Sequence, residues 1–423
     1  MYDTAIEQSR ERAILVGLSC TSNIAGIENA DEYTMDELEA LLETAGGDCV
    51  ARVLQNKSSP DPRTLIGEGK VSEVKELLKI HEVDLVVFDN ELSPSQTRNL
   101  EKDLEARVID RSLLILDIFA SRALTREGRL QVEAAQLQYI LPRLSGLGLS
   151  LSRQGGGGQS APIGTRGSGE TQLESDRRHI HRRIDTLRDE LKEVRRGRAL
   201  IRDRHDKNEI PVVSLVGYTN AGKSTLFNAL TDAGIPARNR LFDTLDTTVR
   251  PLNLDDVSEV LLTDTVGFIR KLPHHLVEAF RATLDELKYS KLLLHVVDAS
   301  NPEWREQAAV VDELADSLGA ESVPRLRVYN KADLLEADVS FADGLSVSSV
   351  TGAGLEALKS RVSELLGIGT HQVELLLPYA RADLLDLLHR EAKIQSEEYT
   401  EDGIAVTALC DARVFGRVAE WQT

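Results

Sequence analysis

Pro211 opens the stretch PVVSLVGYTNAGKSTLFNAL, where an apolar run at 212–216 meets Gly217, four further residues, and then Gly222, Lys223 and Ser224. Glycines at that spacing let the backbone turn so that its amides face one ligand, and a helix N-terminus behind them adds positive potential. The ligand such a nest suits is a chain of phosphates. On this reading Gly217, Tyr218, Thr219, Asn220, Ala221 and Gly222 wrap the phosphates. Lys223 reaches the β and γ phosphates, Ser224 holds magnesium, and Thr225 continues the binding segment. Downstream, LLTDTVGF delivers Asp264 from an apolar run toward the metal, and Gly267, after Thr265 and Val266, can donate its amide to the γ phosphate. Lys223 and Gly267 are therefore the candidate catalytic residues.

Which base such a site takes is read from VYNKAD. Asn330, Lys331 and Asp333 match the NKxD element of the Ras-like GTPases, in which the aspartate accepts the two N–H donors of guanine's edge. Adenine cannot supply that pair, so discrimination by Asp333 should be steep. The later SVSSVTGAGL places Ser348, Ser349 and Val350 where backbone and hydroxyl approach the guanine oxygen. Between phosphate loop and Asp264 lies LFDTLDTTVR, the expected first switch; Phe242 joins the nucleotide contacts, and Thr244, Thr247 and Thr248 all qualify chemically as a magnesium ligand.

Two substitutions bear on mechanism. Phe268 stands directly after Gly267, where Ras-like enzymes carry the glutamine that orients the attacking water. Phenylalanine neither accepts nor donates a hydrogen bond, so hydrolysis by the chain alone should be slow. Ras unaided turns over at ~10⁻⁴ s⁻¹ and gains about 10⁵-fold from a partner's arginine, roughly 7 kcal/mol. Comparable help from a partner is expected here. Asn220 leaves two readings open: an oxygen ligand for potassium beside the phosphates, or a residue that merely tolerates the loop's backbone.

The elements that carry these residues are legible in the 423-residue chain. Strand-like runs (AILVGL, CVARVL, DLVVFD, RVID) alternate with helical ones up to about residue 120, which predicts a parallel α/β domain. Thr34 and Glu37 resemble a capping box, and GEGK at 67–70 reads as a turn before a helix because it lacks the spacing of a phosphate loop. Next, Leu130, Leu137 and Leu144 repeat by seven with Ala134 and Leu141 between them; beyond a glycine-rich loop Leu173, Ile180, Leu187 and Val194 do the same, with Ile184 and Leu191 interleaved. Two such seams joined by a loop predict an antiparallel coiled-coil hairpin with glycines 155–158, 164, 167 and 169 at its tip. After Gly367 a strand, a helix over 382–394 and a strand over 403–409 suggest a small α/β appendage. The fold class is α/β and multidomain: an N-terminal α/β domain (1–120), a helical hairpin (121–207), a Ras-like P-loop domain (208–368) and a C-terminal α/β domain (369–423).

A formal charge of −19 means that contact with nucleic acid must come from a local basic patch. The second hairpin helix supplies one, with Arg177, Arg178, Arg182, Arg183, Arg188, Lys192, Arg195, Arg196, Arg198, Arg202 and Arg204, although interleaved Asp185, Asp189, Glu190 and Glu193 fit a solvated face as well. Arg153 and Arg166 in the loop suit phosphate contacts. Cys20, Cys49 and Cys410 show neither disulfide nor zinc spacing, which fits a reducing cytosol. No apolar stretch approaches the ~20 residues that span a bilayer, so a soluble, cytoplasmic, monomeric protein is expected.

Taken together, GYTNAGKSTLFNAL, LFDTLD, DTVGFIRKLPH, NKAD, EGRLQVEAAQLQYILPRL and GTRGSGETQLESDRR resemble the HflX family of the Obg-HflX GTPases over most of the chain. The resemblance implies a GTPase that uses GTP and magnesium, with Thr244 as the first-switch metal ligand beside Ser224 and Asp264. It also implies binding to the large ribosomal subunit through the hairpin, whose loop reaches toward the peptidyl-transferase region, and dissociation of ribosomes. Ser168 stands where proline is usual, and GQSAP is inserted in the loop. From the residues alone, two alternatives stay open: a GTPase in an RNA-modifying, RNA-unwinding or assembly complex, and a switch that binds GTP without hydrolysing it.

Overall fold

The computed structural model describes residues 10–20, 29–146, 168–207, 210–231, 241–242, 245, 247–254, 259–273, 276, 285–335, 339, 341–368, 371–400, 403–410 and 412–422. They divide into two compact units: Met1–Gly197 with Arg240–Phe242 and Lys271–Phe280, and the remainder.

In the first unit the apolar runs become β1 (Glu11–Cys20), β2 (Gly47–Lys57), β3 (Leu85–Phe88) and β4 (Arg107–Asp110), all paired in parallel in the order β2-β1-β3-β4. Between them run α1 (Glu32–Ala45), α2 (Glu68–His81) and α3 (Pro94–Leu104), and α4 (Arg111–Arg122) follows. Ile14, Val16, Val86 and Phe88 are fully buried, which is why these strands read as continuous apolar runs rather than as alternation. Gly67 caps α2, so GEGK opens a helix, as its spacing indicates. The capping box of α1 differs from expectation. Its N-cap is Asp31, whose carboxylate accepts from the Thr34 amide at 2.7 Å while Thr34 Oγ1 accepts from the Asp31 amide at 2.9 Å. An aspartate one turn earlier caps better than a threonine inside the helix, and Glu37 pairs instead with Arg111.

The hairpin comprises α5 (Arg126–Ile140), a 3-10 turn (Leu141–Gly146) and α6 (Ser168–Lys207). Leu130, Ala134 and Leu187 form its buried seam, with Leu137, Leu191 and Val194 against them. The ion pairs Arg126–Glu190 and Glu133–Arg183 fix an antiparallel register, since one number rises as the other falls. Leu144 lies in the 3-10 turn, where Pro142 has no N–H to continue the ladder of α5. Gly169, expected in the loop, lies in the first turn of α6, whereas glycines 155–158, 164 and 167 and the Leu173 side chain lie outside the described residues.

In the second unit, β5 (Val212–Gly217), β6 (Thr248–Asn253), β7 (Glu259–Asp264), β8 (Leu292–Asp298), β9 (Arg325–Asn330) and β10 (Gly344–Ser346) form a sheet in the order β10-β9-β8-β5-β7-β6. Only the β6–β7 pair is antiparallel. With α7 (Lys223–Thr231), α8 (Trp304–Ser317) and α9 (Leu355–Leu366), this is the Ras-like layout. Its neighbours place β5 where strand order reverses, and ligands of such sheets bind beyond the carboxyl ends at that point. A third sheet, β11-β13-β12, is antiparallel: β11 (His371–Leu377), β12 (Ala392–Thr400) and β13 (Gly403–Cys410), packed with α10 (Ala382–Glu391) and α11 (Ala412–Val418) around Val373, Leu388, Val406 and Val414. Here the helix expected to reach Ile394 stops at Glu391. Ala392 turns extended, and β12 follows without a loop because pairing with β13 outweighs helical periodicity.

Among the described residues no helix is long and apolar enough to cross a membrane.

Candidate nucleotide-binding site

β5 is central and buried, so its carboxyl end presents the loop 217–222 at the edge of a rigid sheet. Gly222 turns the loop into α7 at φ 90°, and a Cβ there would meet Asn330 Nδ2 at 2.2 Å, so only glycine fits. The segment after Asp264 is stitched to this loop: the Thr219 amide donates to the Phe268 carbonyl at 2.7 Å, and the Phe268 amide to the Gly217 carbonyl at 3.1 Å. Tyr218 Oη accepts from the Arg270 amide at 2.8 Å. Gly267 is thereby brought so close that a Cβ on it would lie 3.0 Å from Lys223 Nζ.

Lys223 is buried, and its ammonium donates to the Gly217 carbonyl at 3.0 Å and the Tyr218 carbonyl at 2.8 Å. Those bonds aim the side chain along the loop and use two of its three donors. Burial lowers its pKa to about 8, against the attraction of Asp264. A neighbouring phosphate chain would supply a countercharge to the buried ammonium. Thr219 Oγ1 is buried without a hydrogen-bond partner among the described residues, a second vacancy for an oxyanion.

Ser224 Oγ donates to Asp264 Oδ2 at 2.8 Å. Hydroxyl and carboxylate oxygens so placed suit a hard cation such as magnesium, which keeps several waters and takes its other ligands from phosphate. Among the described residues no group of three or more His, Cys, Asp or Glu side chains is placed to hold a metal ion by itself. Thr265 has a structural task, donating to the Leu215 carbonyl at 2.6 Å, and Val266 is buried. Of the three first-switch threonines, Thr244 lies outside the described residues, Thr247 is half-buried, and Thr248 is the cross-strand partner of Asp264. Phe242 is buried, its ring edge-on to Phe119 at 4.7 Å. Asn220 is exposed at φ 63°, a left-handed conformation that asparagine tolerates.

At the base end, Asn330 holds the parts together. Its amide donates to the Ala221 carbonyl at 3.0 Å, and its oxygen accepts from the amide and hydroxyl of Ser349 at 3.1 and 2.7 Å. Asp333 accepts from Ser348 Oγ at 2.6 Å, which leaves its second oxygen and further lone pairs toward the base. Lys331 sits at φ 62° with its ammonium on Asp298 at 2.6 Å, and Val350 is exposed. Sequence spacing does not reveal the Asn330–Ala221 tie, the Lys331–Asp298 pair or the stitching of Phe268, since each joins residues far apart in the chain.

Three family profiles match: GTP-binding GTPase N-terminal over 32–120, GTP-binding GTPase middle region over 122–205, and 50S ribosome-binding GTPase over 212–331. Proteins named GTPase HflX are similar along the chain. That of Lacrimispora saccharolytica is 47% identical over 98% of this chain and 97% of its own, and that of Caldanaerobacter subterraneus is 46% identical over 98% and 94%. The Escherichia coli protein is 42% identical over 93% and 92%. Among solved structures, the GDP complex of SsGBP is 25% identical, with a TM-score of 0.46 over 84% of this chain and 98% of that one. Identity at this level across whole chains assigns the protein to the HflX family of GTPases.

Proposed function

We propose that the chain binds GTP in the site built from 217–224, 264–267, 330–333 and 348–349, hydrolyses it to GDP and phosphate, and uses that cycle on the large ribosomal subunit to dissociate ribosomes. The observation that carries the reading is the assembled base end: Asn330 ties phosphate loop to Ser349 while Asp333 is held by Ser348. A carboxylate so fixed reads guanine's two donors.

In this proposal Ser224 and Asp264, with Thr244, hold magnesium, which when bound neutralises charge on the β and γ phosphates. Lys223 gives its third N–H to the phosphates, and the Gly267 amide donates to the γ phosphate. Water attacks the γ phosphorus as its bond to the GDP oxygen breaks. Phe268, 1% exposed and pinned by two backbone bonds, can neither orient that water nor swing aside. Turnover by the protein alone is slow, and the ribosome supplies what is missing.

Support for the partner comes from the ribosome-binding description of the profile over 212–331 and from charge along α6. Arg183, Arg188, Lys192 and Arg196 are paired with carboxylates, whereas Arg177, Arg178 and Arg182 have no carboxylate partner among the described residues. Those three, and the loop beside them, face rRNA. Sedimentation with purified large subunits tests this. Pelleting with a non-hydrolysable GTP analogue but not with GDP is expected, together with GTP turnover raised by subunits; no pelleting in any state, or fast unstimulated turnover, overturns it. Turnover in potassium against sodium decides whether Asn220 also serves a monovalent cation.

A further inference from the structure

The first unit buries a charge cluster at the carboxyl end of its own sheet. Strand order reverses between β1 and β3, the place where a parallel sheet takes a ligand. Asp89 follows β3 there, 1% exposed; Arg111 opens α4 directly after β4, 2% exposed; and Glu37 reaches in from α1, 8% exposed. Arg111 donates to Asp89 Oδ1 at 2.8 Å and also pairs with Glu37. One guanidinium cannot balance two buried carboxylates, and an uncompensated charge in such a place is costly. Lys271 brings the second positive charge, its ammonium pairing with Asp89 Oδ2, with its side chain 10% exposed.

Lys271 is four residues beyond Gly267 along the chain. Its neighbour Arg270 gives its amide to Tyr218 of the phosphate loop, so adjacent residues are anchored to the nucleotide site and to the acidic crevice. The backbone at Lys271 is left-handed, φ 55°, as it is at Phe242, φ 54°. Non-glycine residues keep that conformation only where surroundings impose it. Both residues are flanking segments of the two switches, and both are packed into the first unit.

We propose that Lys271 is an intramolecular ligand of the N-terminal sheet: its ammonium fills the Asp89–Arg111–Glu37 crevice, and GTP binding, by drawing Gly267 to the γ phosphate, withdraws it. The inference rests on the GTP reading above. The crevice thus binds a cation that the chain itself provides, and a vacated crevice presents an unbalanced carboxylate to any partner amine.

Acetylation by an N-hydroxysuccinimide ester, read lysine by lysine by peptide mass spectrometry on the full chain, tests it. With GDP or no nucleotide, Lys271 is expected to react at least about tenfold more slowly than exposed Lys102, because access requires local opening. With a non-hydrolysable GTP analogue its rate should rise at least about threefold while Lys102 stays constant. Asp89→Asn leaves Arg111 balanced by Glu37 and removes a carboxylate that Lys271 pairs with; with GDP or no nucleotide Lys271 should then react at least about threefold faster than in the unaltered protein. Fluorescent-nucleotide binding in the same samples separates the two readings: failure to bind GTP sinks the proposed function, whereas binding with Lys271 unchanged in rate, or slow in Asp89→Asn, overturns the latch.

Discussion

Each unit buries a cation at the carboxyl end of a parallel sheet, and the two cations are treated in opposite ways. Arg111 suffers burial, but Glu37 and Asp89 outweigh it and raise its pKa. Lys223 suffers burial with Asp264 as its nearest countercharge, and its pKa falls to about 8. The crevice around Arg111 is over-supplied with carboxylate and takes another cation, Lys271. The loop around Lys223 is under-supplied and is built to take an anion. Sheet architecture is shared, so what binds is decided by the charge left over at the strand ends.

The comparison is broken most severely by Lys223→Ala. Losing its one charge-assisted contact to phosphate, roughly 2 kcal/mol, together with the donor that holds the Tyr218 carbonyl in the loop, about as much again, should weaken GTP binding about a thousandfold. The matching change in the other sheet's lookalike motif, Lys70→Ala, should alter GTP affinity by less than about twofold, since Lys70 is spent on Glu73 at 2.8 Å. Equilibrium titration with a fluorescent GTP analogue checks both, with circular dichroism confirming the fold. Equal losses would mean that GEGK is a phosphate loop after all.

Asp333→Asn comes next. Guanine's two donors would then face an amide that offers one acceptor and one clashing donor, so GTP should bind about 100-fold more weakly while ATP is unaffected. A parallel loss of both nucleotides would show that Asp333 supports the loop through Ser348 and does not read the base.

A smaller effect divides α6 itself. Reversing Arg177, Arg178 and Arg182 to glutamate should weaken binding to large subunits roughly 10- to 30-fold and flatten its salt dependence, because fewer counterions are released. Reversing Arg183, Arg188 and Arg196, already paired with Glu133, Asp185 and Glu193, should cost less than about threefold. Indistinguishable losses would return the whole helix to a solvated, charge-laced face.

What could be read from the chain, and what could not, follows the same division. The phosphate loop, Asp264 to Gly267 and Asn330 to Asp333 are local spacings, so their chemistry is visible in a few consecutive residues. The hairpin seam is legible too, since Leu130, Ala134 and Leu187 repeat at helical intervals. The crevice is invisible, because Arg111 meets partners 22 and 74 residues away and Lys271 meets Asp89 across 182. Glu37 was drawn toward a capping role by its position after Thr34, and only the fold shows it turned inward. Likewise β12 carries residues that continue a helical period, and only its partner strand makes it extended. Periodicity reports on the local chain, whereas long-range pairing of charges and strands is a property of the folded whole.

The smallest expected effect is the most direct test of the under-supplied lysine. In the nucleotide-free protein Lys223 loses its proton as pH passes about 8. Bound phosphate favours the charged form, so the complex keeps that proton to higher pH. Binding therefore takes up a proton above pH 8, and GTP affinity, flat below that value, should fall as pH rises through it, by at most about tenfold per unit. Measuring Kd from about pH 7 to about half a unit above the lysine's pKa stays below the range in which guanine loses its ring proton. Lys223→Arg sharpens the result: arginine stays charged throughout, so whatever affinity it retains should not vary over this range. If wild-type affinity is equally flat, the lysine is already balanced by Asp264, and the contrast with Arg111 disappears.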